Sequence, residues 1–153
     1  RAGVDHRPLD PADPAARERL TAYVWADQAG RLARTEAALA HAARHGARIQ
    51  RGDAAPWLED RLDEPQERRV CRVLMHSIVW QYLTPAEQER ITRAMVVAGL
   101  EASPERPLAW LRMERDDEPG SAAVLLTTWP GGRTRALGRA DFHGRHVAWT
   151  GER

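Results

Sequence analysis

The sequence predicts an α/β domain in which a mainly parallel sheet gives way to antiparallel strands near residue 107. The first indication is the segment from Val70 to Met75, which is short and nearly continuously apolar, as in strands covered on both faces of a parallel sheet. The second is the alternation of strand and helix patterns before residue 107, and the third is the run of short strands and turns after it. An all-helical N-terminal half beside a separate small barrel is the competing fold.

Length and composition limit the classes of function. The chain has 153 residues, with 42% hydrophobic and 29% charged residues, as in one ordinary domain. Its 23 basic residues, all Arg, and 22 acidic residues give a net charge of +1, which predicts no nucleic-acid partner. We expect a cytoplasmic protein without a membrane span, in which the single cysteine, Cys71, is buried in the central strand. The start at Arg1 without Met indicates an excised piece of a longer chain.

The N-terminal elements are a short strand and a helix. Gly3 to Asp5 is predicted to be a short, mainly apolar strand that ends in a carboxylate. A series of prolines then prevents helix formation until about residue 14. Asp13 followed by Pro14 predicts a helix start, because the Asp side chain caps free N–H groups and Pro needs none there. We expect this helix to reach about Trp25.

A second helix and a second strand follow. Asp27 is expected to cap the helix, and Gly46 is expected to end it. Residues Ala47 to Arg51 alternate like a short strand, which Gly52 and Asp53 break, so that a second acidic residue stands at a strand end. Another helical turn begins near Pro56 and leads through a charged segment into the central strand.

The remaining elements have clear boundary signals. Thr84 to Glu87 is a capping box with Pro85 at the first helical position, and the helix it begins carries an apolar stripe and is expected to end near Gly99. Turn residues separate the strands predicted after it. These strands are Leu108 to Met113, Ala122 to Trp129, Thr134 to about Leu137 and Phe142 to Trp149, with turns at Asp116 to Gly120, Pro130 to Gly132 and His143 to Arg145.

Three strand ends carry polar groups that a ligand can bind. They are Asp5, Asp53 and the pair His76 and Ser77, which follows the central strand. In a doubly wound sheet these ends share one edge, where ligands bind. A carboxylate at the first of these ends can accept two hydrogen bonds from a ribose diol. The alternative for Asp5 is a turn former before a proline-rich loop.

Other kinds of site have less support in the sequence. His143 and His146 lie at a predicted turn without further metal ligands at suitable spacing, so we predict no metal site. His76 and Ser77 are neighbours on a strand, where successive side chains point to opposite faces. Their adjacency in the sequence therefore does not make them a catalytic Ser-His pair. The six Trp residues fall one per element, which predicts packing around a common core. Trp80 alternatively forms a pocket wall with Tyr82, on which a planar base stacks.

Several unusual short sequences occur together in a characteristic order. They are Gly3-Val4-Asp5 with Pro8, Val24-Trp25 with Asp27-Gln28, Arg31-Leu32-Ala33-Arg34, Arg51-Gly52-Asp53, His76 to Leu83, Leu108 to Arg112 and Trp129-Pro130-Gly131-Gly132. Over nearly the whole chain they resemble the uncharacterised bacterial family called domain of unknown function 2332.

The resemblance implies a particular fold and ligand, because members of that family are similar to class I methyltransferases. It implies a three-layer Rossmann-like sheet that lacks its first strand and Gly-rich loop, which would make this chain the C-terminal portion of a longer protein. It also implies that S-adenosylmethionine binds with its ribose at Asp5, its adenine near Asp53 and its methyl donor beside His76 and Ser77. Two departures are the pair of helices between the first two strands and the His6-Arg7 sequence after Asp5.

Two functions follow as hypotheses. In the first, the full-length protein binds S-adenosylmethionine or a related nucleoside and transfers methyl groups to an acceptor that the sequence does not identify. In the second, the chain is a noncatalytic α/β binding or interaction module. The absent strand would lie between the strands at Gly3 to Asp5 and Val70 to Met75, which leaves an exposed edge. We therefore expect a homodimer or a rearranged sheet, and only feeble nucleoside binding.

Overall fold

The computed structural model describes residues 1–46 and 48–151 and has a mixed α/β architecture. Close contacts group the chain into two compact units, Arg1–Ala54 and Ala55–Arg153, and each is described by itself. The described residues form one two-stranded parallel sheet and one open five-stranded mixed sheet. The barrel of the competing fold is therefore wrong for the described residues, and none of their helices is long and apolar enough to span a membrane.

The first unit is a parallel strand pair connected through two helices. Its elements are β1 (Ala2–Asp5), α1 (Pro14–Ala22), α2 (Ala29–His45) and β2 (Arg48–Arg51). The register places Asp5 opposite Arg51, so the carboxyl ends of both strands lie at the same edge. Strand β2 confirms the strand predicted from residue 47 onwards, although Ala47 itself lies outside the described residues.

Local capping chemistry explains where the helices of this unit begin and end. Asp13 accepts a hydrogen bond from the amide of Ala15 at 3.0 Å, which confirms the predicted start of α1 at Pro14. The predicted extension of α1 to Trp25 is wrong, because the helix ends at Ala22 and the Trp25 side chain is 75% exposed. Asp27 does not cap α2, which starts after Gln28 without a side-chain cap.

The second unit contains the five-stranded sheet in the order β3-β4-β5-β6-β7. Its elements are α3 (Ala54–Asp63, whose first residue belongs to the first unit), β3 (Arg72–Ser77), a short 3₁₀ helix (Trp80–Tyr82), α4 (Pro85–Glu101), β4 (Leu108–Arg115), β5 (Ala122–Trp129), β6 (Arg133–Ala140) and β7 (Val147–Trp149). Strands β3 and β4 are parallel, which confirms the predicted pairing, and the remaining neighbours are antiparallel.

Strand β3 differs from the predicted central strand in its bounds and its burial. It begins two residues later than Val70 and includes His76 and Ser77. It lies at an end of the sheet and alternates between half-buried and exposed residues, with Met75 64% exposed, so the prediction of two covered faces is wrong. Cys71 is also exposed rather than buried, because it precedes the strand.

Helix α4 packs through one narrow stripe. Its capping box is present as predicted, with the Thr84 hydroxyl and the Glu87 carboxylate each accepting an amide hydrogen bond of the other residue. The buried residues of α4 are Ile91, Met95 and Gly99. The helix ends at Glu101, two residues after Gly99, which agrees with the predicted end near Gly99. A Cβ atom at Gly99 would lie 2.3 Å from Nε1 of Trp129, so close packing requires glycine.

The C-terminal strands follow the predicted turns with adjusted lengths. Strand β5 has the predicted bounds, and the turn at Pro130 to Gly132 joins it to β6. The last strand, β7, has only three residues because the segment predicted to open it at Phe142 forms a turn. Trp110 and Trp129 are buried, whereas Trp25 and Trp149 are 75% and 52% exposed, so a core that includes every Trp is wrong.

Candidate functional site

The carboxyl ends of β1 and β2 form the first candidate site. The amide of Gly52 donates to the backbone carbonyl of Asp5 at 3.1 Å, which continues the parallel pairing one residue past the strands. The exposed Asp5 side chain is oriented by the amide of Arg7, which donates to Oδ1 at 2.6 Å. Among the described residues nothing donates to Oδ2 of Asp5, so this oxygen is available to a ligand.

Asp53 belongs to the same edge through a contact with the residue after Asp5. Nε2 of His6 lies 3.1 Å from Oδ1 of Asp53, and both side chains are more than two-thirds exposed. Nε of Arg51 donates to the carbonyl of His6 at 3.1 Å. The structure therefore brings Asp5 and Asp53 to neighbouring strand ends, with His6 and Arg51 as contacts that the sequence did not identify.

His76 and Ser77 end β3, and their side chains lie on opposite faces of the sheet. The Ser77 side chain is on the exposed face. Nδ1 of His76 lies 2.6 Å from Oε1 of Glu114, and both side chains are only 13% exposed. Nε1 of Trp110 donates to Nε2 of His76 at 2.9 Å.

These contacts define the tautomer of His76. The indole N–H of Trp110 is a donor only, so Nε2 of His76 accepts and the proton resides on Nδ1. Nδ1 then donates to the Glu114 carboxylate, whose oxygens also accept the amides of Val79 and Trp80 at 3.2 Å. Both ring nitrogens of His76 are thus used inside the protein, and the cluster holds the end of β3, the loop after it and the end of β4 together.

A shallow cleft of about 250 Å³ lies beside this cluster. It is lined by Trp80, Gln81, Glu114, Arg115, Asp116 and Asp117. The Trp80 ring stacks on His76 with a centroid distance of 5.3 Å and an interplanar angle of 14°. Trp80 therefore lines a cleft but has one ring face occupied, and Tyr82, which is 75% exposed, is not part of the lining.

A comparison with known protein families identifies the family of this chain. The model of the family described as "uncharacterized protein conserved in bacteria", domain of unknown function 2332 (DUF2332), matches residues 1–149. The chain belongs to this family. No curated protein and no solved structure matches this chain.

For this DUF2332 chain, sequence reasoning missed Glu114 as the central group of the cluster. Trp110, Arg112 and Glu114 alternate along β4 and therefore share one face. The parallel register pairs Arg112 with His76, so Glu114 lies just beyond the end of β3. The spacing of these residues was the available signal, but it acquires meaning only when the register is known.

Arg112 is a second polar group on the same face of β4, and its role could not be predicted from the sequence. Its guanidinium lies 4.4 Å from the Trp110 ring centroid, and Nη2 donates to the Thr127 hydroxyl at 2.7 Å. Burial lowers the pKa of Arg112, while its Nε atom is buried without a hydrogen-bond partner among the described residues. This arrangement connects β4 with β5 on the face that also carries His76.

Asp116, which also lines this cleft, is held in place by an arginine on β6. Arg139 donates to both oxygens of Asp116, at 2.8 Å and 2.7 Å. This bidentate contact lowers the pKa of Asp116 to about 2. Since the folded state then binds the proton less readily than the unfolded chain, this contact stabilises the fold above about pH 4 and loses its effect as the pH falls towards 2.

Replacing Arg139 by Gln is expected to raise the pKa of Asp116 towards 3.8, the value of an ordinary Asp side chain. The physical reason is the loss of both the charge and the two-pronged donor. Carboxyl ¹³C chemical shifts followed between pH 1.5 and 6 measure this pKa. Arg135→Gln, on the same strand, is the control, and an Asp116 midpoint unchanged in Arg139→Gln would contradict the assignment.

The turn at His143 to Arg145 is confirmed, with the Gly144 amide donating to the carbonyl of Asp141 at 2.9 Å. The Asp141 side chain accepts the amides of His143 and Arg145 and the guanidinium of Arg145, which lowers its pKa. Within residues 1–46 and 48–151, no group of three or more His, Cys, Asp or Glu side chains is arranged to hold a metal ion.

Proposed function

We propose that this chain binds a nucleoside-type ligand of the S-adenosylmethionine kind at the carboxyl ends of β1 and β2, as part of a Rossmann-like, methyltransferase-like protein. The observation that carries the proposal is the Asp5 carboxylate, which is exposed at the end of a parallel strand. The Arg7 amide orients one of its oxygens and leaves the other available. Such a group suits the two hydroxyls of a ribose.

The residues of this edge fit the nucleoside part of the ligand. Asp5 would accept the ribose hydroxyls, while Asp53 would accept the exocyclic amine of adenine through the oxygen that His6 does not contact. His6 would hold Asp53 in place through their 3.1 Å contact. S-adenosylmethionine, when bound, supplies an electrophilic methyl group.

His76 and Ser77, at the end of β3 in the second unit, differ in their availability to a ligand. Both nitrogens of His76 are bonded to Glu114 and Trp110, and its side chain is 13% exposed, so His76 does not fit as a direct ligand. It would instead position the end of β3. Ser77 is exposed, and its hydroxyl has no hydrogen-bond partner among the residues that the structure describes.

One observation favours the noncatalytic alternative. His76 and Glu114 form an acid–base pair at the ends of β3 and β4, and their side chains hydrogen-bond to each other and to Trp110, Val79 and Trp80. A binding module needs the exposed strand ends but no free general base. The two functions differ in one measurable respect, since only a methyltransferase converts S-adenosylmethionine to S-adenosylhomocysteine when the full-length protein meets its acceptor.

We expect the present chain to bind S-adenosylmethionine with a dissociation constant in the millimolar range. The sequence has no strand followed by a Gly-rich turn, where backbone N–H groups hold such ligands. Asp5→Asn keeps an oxygen for the Arg7 amide but removes the charge, and should weaken binding about tenfold or more, since a hydrogen bond to a charged group contributes about 1.5–3 kcal/mol. NMR titration to high ligand concentration measures both affinities.

Asp60→Asn is the matched control, because Asp60 is exposed on α3 and should leave the affinity unchanged. Equal binding by the Asp5→Asn chain would contradict the role given to Asp5. Micromolar affinity of the unmodified chain would show that the ligand binds at another place.

A further inference from the structure

The free edge of β3 is the feature of the second unit that its own contacts leave unexplained. β3 is the end strand of its sheet, with β4 on one side only. The amides of Arg72 and Ile78 donate to carbonyls of the β4 segment at 3.0 Å and 2.9 Å. By the alternation of a strand, the N–H and C=O groups of Val73, Met75 and Ser77 point to the other side. Among the described residues of the second unit, no strand or loop pairs with them.

This edge lacks the usual protection against further pairing. Sheet edges in natural proteins are blocked by Lys, Pro, bulges or covering segments. β3 has an unbroken register with β4, and the side chains of its outward-directed residues are uncharged. Val73 and Met75 are 54% and 64% exposed, and Val70, just before the strand, is 48% exposed. The edge is therefore flat, apolar and open.

We infer that two copies of this chain associate through their β3 edges, so that two five-stranded sheets form one continuous sheet across a two-fold axis. A two-fold axis makes the added strand antiparallel. The edge is self-complementary in charge, because Val73, Met75 and Ser77 can face their own copies without bringing like charges together. A second copy is therefore an occupant that this edge accommodates without opposing like charges, independently of any ligand at β1 and β2.

The alternation of the strand also fixes the register. Val73, Met75 and Ser77 are the residues whose backbone N–H and C=O groups point away from β4. All three can pair with the same residues of the other copy only if the two-fold axis passes beside the middle one, Met75. In that arrangement Met75 lies opposite Met75 of the partner subunit, and Val73 lies opposite Ser77 of the partner subunit. A six-residue edge buries less surface than the ~1,000 Å² of a stable interface, so the dimer should form in a concentration-dependent manner.

Substituting Met75 by charged residues tests the interface. Analytical ultracentrifugation over a wide concentration range measures whether each variant dimerises. Met75→Lys and Met75→Glu each place like charges opposite each other at the axis, and each variant alone should be monomeric. Their equimolar mixture should dimerise, since the charges are then opposite. Val97→Lys is the control, because Val97 is 54% exposed on α4 and this variant should dimerise like the unmodified chain.

The single cysteine provides an independent distance. Cys71 is exposed and precedes Met75 by four residues, so the two Cα atoms should be about 27 Å apart across the axis at ~3.3 Å per residue. Spin labels on Cys71, measured by double electron–electron resonance, should give a distance near this value, allowing for the label arms. A chain that remains monomeric at millimolar concentration, a Met75→Lys variant that dimerises normally, or a clearly different distance would overturn the proposal.

Discussion

Glu114→Ala should lower the free energy of unfolding by about 3 kcal/mol, because it removes the acceptor of a largely buried hydrogen-bond cluster. The change leaves Nδ1 of His76 without its partner at 2.6 Å. It also removes the hydrogen-bond acceptor of the Val79 and Trp80 amides. The Val79 amide is exposed and can hydrogen-bond to water instead. The loss of the His76 contact should therefore account for most of the effect.

Urea unfolding monitored by Trp fluorescence measures this change, and near-ultraviolet circular dichroism reports on the stacking of Trp80 on His76. Glu89→Ala is the control, since Glu89 is exposed on α4 and should alter stability by no more than ~0.5 kcal/mol. If the Glu114→Ala chain unfolds at the same urea concentration as the Glu89→Ala chain, the cluster does not hold the strand ends together.

Met95→Ala is expected to destabilise the second unit by about 3 kcal/mol, within the usual range of about 2–5 for a buried Met. Met95 is 0% exposed, and it lies between Ile91 and Gly99 on the one stripe of α4 that is buried. Truncation removes its contacts and leaves a cavity that the neighbouring rigid helix and sheet can fill only in part.

The adjacent residue supplies the comparison for Met95. Val96 is 46% exposed, so Val96→Ala should cost less than about 1 kcal/mol. Equal effects of the two substitutions in urea unfolding would mean that α4 does not pack through the Ile91, Met95 and Gly99 stripe.

Local chemistry made several elements predictable from the sequence. The capping box at Thr84 to Glu87, the Asp13–Pro14 start and the turn at Pro130 to Gly132 are set by nearby residues, and the structure contains all three. The parallel pairing of β3 with β4 also followed, since a helix connects the two strands. Asp5 and Asp53 could be named as neighbouring strand ends for the same reason.

Features that depend on distant residues were not predictable. The apolar composition of Val70 to Met75 indicates a strand, but it does not reveal whether another element covers each face. Glu114 could not be assigned to His76 before the register of β3 and β4 was known. Asp27 was a reasonable cap by residue type, yet α2 starts after Gln28, where the chain has already turned.

We propose that a nucleoside binds at the carboxyl ends of β1 and β2 through the Asp5 carboxylate. A ¹H–¹⁵N NMR titration with S-adenosylmethionine tests it most directly, because every amide reports on its own surroundings. The amides of Arg7, Gly52 and Asp53 are expected to shift most. Asp5→Asn should reduce these shifts strongly at the same ligand concentration, because it weakens binding about tenfold or more, while Asp60→Asn should preserve them. Shifts confined to the cleft at Trp80 and Glu114, or shifts unchanged in the Asp5→Asn chain, would contradict it.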